Sequence, residues 1–331
     1  MHGPCVNIFR GGISMMMARS PSRPLKSAGR LHSLLLYIRR KKYLYILLIP
    51  CIVYFIVFNY VPMYGIVIAF KDFNFAKGIM GSKWIGLANF KYMFQLGDFY
   101  QVLWNSLYLS LLRLVFGFPF PIILALMINE IRQEKLKRVS QTLIYLPHFI
   151  SWVVVGGIII QFLSPTWGAV NMVIKSMGHQ PIFFMGQTQY FRPIVVISSI
   201  WKESGWGTIL YLAAISGINP ELYEAAVVDG AGRLKRMWHV TLPCIRSTIV
   251  ILLILNMGRL MSNGFEQIFV LQNSMNLPVS EVFETYTYRI GLLGGRFSFS
   301  TTVGLFTSLV GLVLLLISNS ISRLLGEEGV W

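Results

Sequence analysis

Charge is scarce in this chain. Only 13% of its 331 residues are Asp, Glu, Lys or Arg, against roughly 25% in a typical soluble domain. That shortage argues against an ordinary soluble fold, whose water-facing surface needs more ionised groups. Acidic residues are fewest: 13 Asp and Glu stand against 29 Lys and Arg, a net charge of +16. Cysteine is limited to Cys5, Cys51 and Cys244, far apart and without a CxxC pair, which argues against a disulfide framework or a zinc site. The five histidines are equally scattered, so no metal site is expected. No GxxxxGK[ST] segment cradles phosphate, so the chain is not expected to bind ATP itself. HExxH, GxSxG and carboxylates paired at helical spacing within an apolar run are also missing. No enzyme site and no cofactor are expected.

What is abundant is apolar surface: 55% of residues are hydrophobic and the mean hydropathy is +0.61. A membrane-spanning helix needs about 20 mostly apolar residues. Six stretches meet that need, Tyr43 to Phe70, Asn105 to Asn129, Leu143 to Leu163, Pro193 to Ile215, Ser247 to Met261 and Thr301 to Ile321. The fold expected is all-α and integral to the membrane. The run after "RRKKY" is too long for a signal-peptide core and no small-residue cleavage site follows it, so an uncleaved first span is expected. Residues 1–40, rich in Arg, Ser, Pro and Gly, read as a basic, disordered tail, and Met15, Met16 and Met17 offer alternative starts. The membrane domain then occupies 41–331, with its core at 101–322.

The positive charge is unevenly placed, which favours a membrane orientation over nucleic-acid binding. Nine Lys and Arg precede the first span. Arg132, Lys135, Lys137 and Arg138 follow the second, and Arg233, Lys235, Arg236 and Arg246 follow the fourth. The opposite loops hold fewer, among them Lys175, Arg192, Arg289 and Arg296. Cytoplasmic loops carry the excess of Lys and Arg. Both termini and the 218–246 loop are therefore expected in the cytoplasm, and 263–300 outside.

That loop contains "NPELYEAAVVDGAG", Asn219 to Gly232. Asn219 suits an N-cap, Pro220 the first helical position, and Glu221 the positive end of the helix dipole. Leu222, Ala225 and Ala226 share a face. Gly230 supplies the left-handed residue that ends a helix. The pattern predicts a helix from Pro220 to Asp229. A second amphipathic piece then carries Leu234, Met237 and Trp238 on one side, and Leu242-Pro243 closes the unit. A capped loop would need no more than this. Small residues on an exposed face, however, let another surface approach the backbone, which points to docking.

Glu224-Ala225-Ala226, then Gly230, then Leu242-Pro243, resemble the EAA loop of ABC importer permeases. Val240 stands where the family has Ile, and Ser247 where many sugar permeases have a proline, so the kink that proline makes has no proline here. "WIGLANF" from Trp84, "LPHFIS" from Leu146, "SPTWGAVN" from Ser164 and "PMYGIVIAFKDFN" from Pro62 are similar to segments of the carbohydrate-uptake, polysaccharide-permease subgroup. The resemblance implies a six-span permease whose EAA helix, between the fourth and fifth spans, docks on a separate ATPase. Glu224, Ala225, Ala226, Asp229, Gly230, Ala231, Leu242 and Pro243 would form the coupling site. It further implies a second, homologous permease subunit, a cytoplasmic ATPase dimer that binds the ATP, an extracellular solute-binding protein and a carbohydrate substrate, in a bacterial inner membrane.

Ionisable residues in a span are functional candidates by default. Arg113, Lys202, Glu203 and Arg259 qualify. Lys202 and Glu203 read either as pathway groups or as solvated residues near the outer end of the fourth span, and Arg259 as a residue snorkelling from the end of the fifth. Tyr108, Arg113, Asn256 and Asn263 are the candidates for the substrate path. Of the remaining aromatics, Trp152, Trp201 and Trp206 fit an interfacial belt. A passive channel or structural membrane subunit is the alternative class; it needs no ATPase-docking helix.

Overall fold

The computed structural model describes residue 37, residues 40–324, and residues 326 and 329. The basic tail expected at 1–40 lies outside the described residues apart from positions 37 and 40. The fold is a helical bundle with one departure from all-α: Lys71–Asp72 and Lys83–Trp84 pair as a short antiparallel ladder, Lys71 opposite Trp84.

Among the described residues, three unbroken helices are long and apolar enough to cross a membrane: Lys42–Phe70, Gly97–Asn129 and Phe297–Leu324. Two bent pairs bring the number to five if each counts as one crossing. Glu134–Phe149 and Trp152–Phe162 meet at 95°, and Arg233–Cys244 and Arg246–Gly258 at 61°. The span expected at Pro193 to Ile215 is the 29-residue helix Thr188–Ser216. It is long enough to cross but less apolar than the other three, because it carries Arg192, Lys202 and Glu203.

Proline shapes these helices in a regular way. Three π-helical turns, Ile56–Tyr60, Arg113–Gly117 and Met237–Thr241, each end two residues before a proline, Pro62, Pro119 or Pro243. Proline has no N–H and its ring presses on the carbonyl four residues back. The residue just before each proline instead donates to the carbonyl five back: Val61 to Ile56, Phe118 to Arg113, Leu242 to Met237. The widened turn takes up the clash without breaking the helix. The 61° bend then follows at Ile245, which leaves helical geometry at φ −96°, ψ 6°. A bend is therefore present next to Ser247 without a proline there.

The Gly97–Asn129 helix threads three buried clusters in turn. Its Phe99 and Val102 pack with Phe283, Tyr286, Phe299 and Val303. Leu109 packs with Phe191, Val195 and Ile268, and Ala125 with Tyr211, Ile215 and Ile245. Two close approaches rest on glycine. A Cβ at Gly205 would lie 1.9 Å from the Ile144 carbonyl oxygen, and one at Gly311 2.7 Å from that of Gly258. Small residues allow such backbone contact between membrane helices. The Lys42–Phe70 helix is the opposite case, since up to Tyr64 none of its residues is buried. Cys51 on it is free and exposed.

Candidate functional site

Two features stand out, a capped surface helix and a cavity with charged groups on its wall. The surface helix is Pro220–Val228. Asn219 Oδ1 accepts from the Glu221 N–H at 3.1 Å, and Pro220 takes the first turn. At the other end Gly230 has φ +73°. The Ala231 N–H reaches back to Ala226 O at 2.8 Å and the Gly230 N–H to Val227 O at 3.0 Å. A left-handed glycine with a bond spanning five residues is a Schellman ending. Asp229 is the C-cap, one residue beyond the helix.

The helix leans inward on Leu222, Tyr223 and Ala226, all half-buried. Tyr223 Oη lies 3.0 Å from Thr241 Oγ1, which pins the helix to the π-turn before Leu242-Pro243. Its outward side carries Glu221, Glu224, Ala225 and Val228. The two alanines therefore divide, Ala225 outward and Ala226 half inward. Glu224 pairs with neither Arg233 nor Arg236 among the described residues and is exposed. Val227 and Val228 join Leu234 and Trp238 as exposed apolar residues, Val228 at 87%. Composition alone did not mark the two valines, because only the cap geometry shows which way they turn.

The cavity has a volume of about 520 Å³ and is lined by residues from the Gly97–Asn129, Thr188–Ser216 and Arg246–Gly258 helices and the 259–267 stretch. Arg113, Asn256, Glu203 and Arg259 lie on its wall. Tyr108 and Asn263 do not. Tyr108 lies beneath the Arg192 guanidinium, 4.6 Å from its ring centre, and Arg192 is held by Asn105 Oδ1 at 2.8 Å. Asn263 is fully buried and works as a pin. Its N–H donates to Glu284 Oε1 (2.6 Å), its Nδ2 to Ser106 O (3.3 Å), and its carbonyl accepts from Arg113 Nη1 (2.5 Å). Arg113 Nη2 donates to Gln267 Oε1 (2.6 Å), and Gln267 Nε2 donates in turn to Val195 O (2.8 Å).

Lys202 and Glu203 sit midway along Thr188–Ser216, and Lys202 is only 5% exposed. This rules out placing them, solvated, at the end of a span. Lys202 Nζ donates to His148 O (2.8 Å) and to Glu203 Oε1 (3.1 Å). Glu203 Oε2 meets His148 Nδ1 at 2.8 Å. His148 stacks on Trp206 with ring centres 4.7 Å apart, and Lys202 lies over Trp152 at 5.2 Å. The cluster joins the 95° bend to the long helix. Trp201 and Trp206 lie near mid-helix, away from the ends where a belt was expected. Beyond the cavity, Glu281 grips Arg289 through Nε (2.6 Å) and Nη2 (2.9 Å), and that bond raises the pKa of Arg289.

Helices of membrane-crossing length thus surround a mostly apolar cavity that carries Arg113, Glu203 and Arg259, with a rigidly capped helix exposed beside them. The sequence pattern of the binding-protein-dependent transport system inner membrane component matches residues 117–327, and the chain belongs to that family. It is 47% identical over 308 residues to Protein LplB of Bacillus subtilis (strain 168), covering 93% of this chain and 97% of that protein. It is also 47% identical to the polygalacturonan/rhamnogalacturonan transport system permease protein YteP of the same organism, covering 90% and 93%. Among solved structures, a chain of a bacterial alginate ABC transporter, crystallised with its alginate pentasaccharide-bound periplasmic protein, superposes with a TM-score of 0.82. That chain is 43% identical, and the match covers 90% of this chain and 99% of that one.

Proposed function

We propose that this chain is one of two permease subunits of an ATP-driven carbohydrate importer. It would form half of the translocation path and couple to a separate ATPase dimer through Pro220–Val228. The observation that carries the coupling role is the outward side of that helix. It is clamped at both ends, unpaired at Glu224, and continuous with the exposed Val228, Leu234 and Trp238. The substrate class is supported by the polygalacturonan and alginate handled by its relatives. Thr188–Ser216 completes a count of six spans with both termini cytoplasmic, because its buried charges are paired within the bundle. Domain limits of 41–331 follow the same reading. ATP would be bound by the partner ATPases, and an extracellular binding protein would deliver the sugar.

The test changes the docking helix. Ala226 is wedged beside Tyr223, and Gly230 holds a backbone angle that a β-branched residue resists. Ala226→Asp and Gly230→Val should leave a membrane-inserted subunit that no longer supports uptake, with less ATPase co-purifying. Lys235→Asp, on the exposed side, should be mild. Full uptake and full ATPase recovery in both site variants would reduce the helix to a capped loop. Flux into proteoliposomes that persists without ATP would favour a passive channel.

A further inference from the structure

Resting on the carbohydrate-importer reading, we propose that the cavity holds a subsite for an anionic sugar. Arg259 would meet a uronate carboxylate within the fixed positive field of Arg113. The argument begins with Arg113. Its guanidinium bonds only neutral oxygens, Asn263 O at 2.5 Å and Gln267 Oε1 at 2.6 Å, and its Nε has no partner. Those bonds fix the plane of the group, and the carboxylates of Glu284 and Glu203 act on its charge without a direct ion pair among the described residues. An ionised group inside a membrane protein is costly unless it is paired or faces water.

Neither nearby carboxylate bonds Arg113 directly among the described residues, although Glu284 Oε2 is left without a hydrogen-bond partner. Glu203 shares the cavity wall, but one of its oxygens is taken by Lys202 and the other by His148. Glu284 is turned to the Asn263 N–H. The second arginine on the wall, Arg259, is exposed and makes no side-chain bond among the described residues. Bracing the bundle accounts for Arg113. It does not account for Arg259, which braces nothing.

The wall therefore presents two cations against one carboxylate, and that carboxylate is spent on the buried Lys202. Hydroxyls of a neutral sugar would be served by Asn256 and the serines on the same wall, and its ring face by Trp152. None of these needs an arginine. A carboxylate does, because the guanidinium fork matches its two oxygens and the charge strengthens each bond.

The experiment uses the assembled importer in nanodiscs, without the binding protein, so that any discrimination is the permease's own. The probes are trigalacturonate and its neutral counterpart, galactotriose. The wild type should bind the acid about tenfold or more tightly, the scale of one charge-assisted contact. Arg259→Gln should bring the two affinities to within about twofold by weakening only the acid, as loss of a single such contact requires. Arg259→Lys should keep part of the preference. Arg259 carries the test because removing its side chain disturbs no bond in the bundle. Equal wild-type affinities, or a preference that survives Arg259→Gln, overturns the proposal, as does failure of trigalacturonate to bind. If the complete importer still takes up saccharide in that case, the carbohydrate reading stands and only the uronate subsite falls. If it takes up none, both fall.

Discussion

At the scale of single residues, the molecule depends on places where a side chain is missing. Gly205 is the sharpest case. The Glu134–Phe149 segment crosses the Thr188–Ser216 helix so closely that a methyl group would meet the Ile144 carbonyl at 1.9 Å. Backbone cannot swing aside as a side-chain tip can, so Gly205→Ala should cost about 1–3 kcal/mol of packing. It should also loosen the His148–Glu203–Lys202 cluster that this crossing supports. Gly157 is the matched control, with nothing within 4 Å of its Cβ position. Gly157→Ala should be neutral or slightly stabilising, since alanine is the better helix former by about 1 kcal/mol. Thermal unfolding of the two purified variants checks this; equal melting temperatures would show that the crossing can relax. Sequence reading singles out neither glycine, because each matters only through a residue distant in the chain. The same holds for Asn263. Its polar side chain read as a path group, yet Ser106, Ser110 and Arg113 from one helix and Glu284 from another segment hold it, fully buried.

At the scale of elements, local chemistry was the readable part. Asn219, Pro220 and Gly230 specify where the surface helix starts and stops, and the helix runs Pro220–Val228, one residue short of the expected end. Caps are legible because donor and acceptor lie within a few residues of each other. Asn219→Ala removes the acceptor for the Glu221 N–H and should cost the helix about 1 kcal/mol, while Asn219→Asp should retain it. Faster amide exchange at Glu221 to Tyr223 in the alanine variant alone is the expected signature; unchanged exchange would mean that docking onto Thr241 suffices. The bends were less legible. Leu146-Pro147 enters the span expected at 143–163, but nothing in the composition reveals that the chain turns by 95° beyond it. The kink beside Ser247 was expected to lack its proline. Pro243, four residues earlier, widens the turn before it, and Ile245 then breaks the helix. The long helix Thr188–Ser216 is read correctly in position and understated in length. Its charges dilute the apolar signal, and their partners lie on other elements.

At the scale of the whole molecule, the asymmetry of Lys and Arg makes an orientation prediction. In a background lacking Cys5, Cys51 and Cys244, Gly232→Cys should react with a membrane-impermeant maleimide only from the cytoplasmic side. Met275→Cys, exposed on the 263–300 segment, should react only from outside. Reversed labelling would invert the assignment. One further whole-molecule feature is the Lys42–Phe70 helix, which buries almost nothing against its own chain. Lipid tails are as apolar as leucine, so a helix covered by lipid on every side incurs no penalty while it waits for a neighbour. A newly made copy can therefore rest in the bilayer with this helix fully solvated by acyl chains. On the two-subunit reading proposed above, synthesis of the two subunits need not be synchronised, and a surplus of one could be stored until its counterpart is translated.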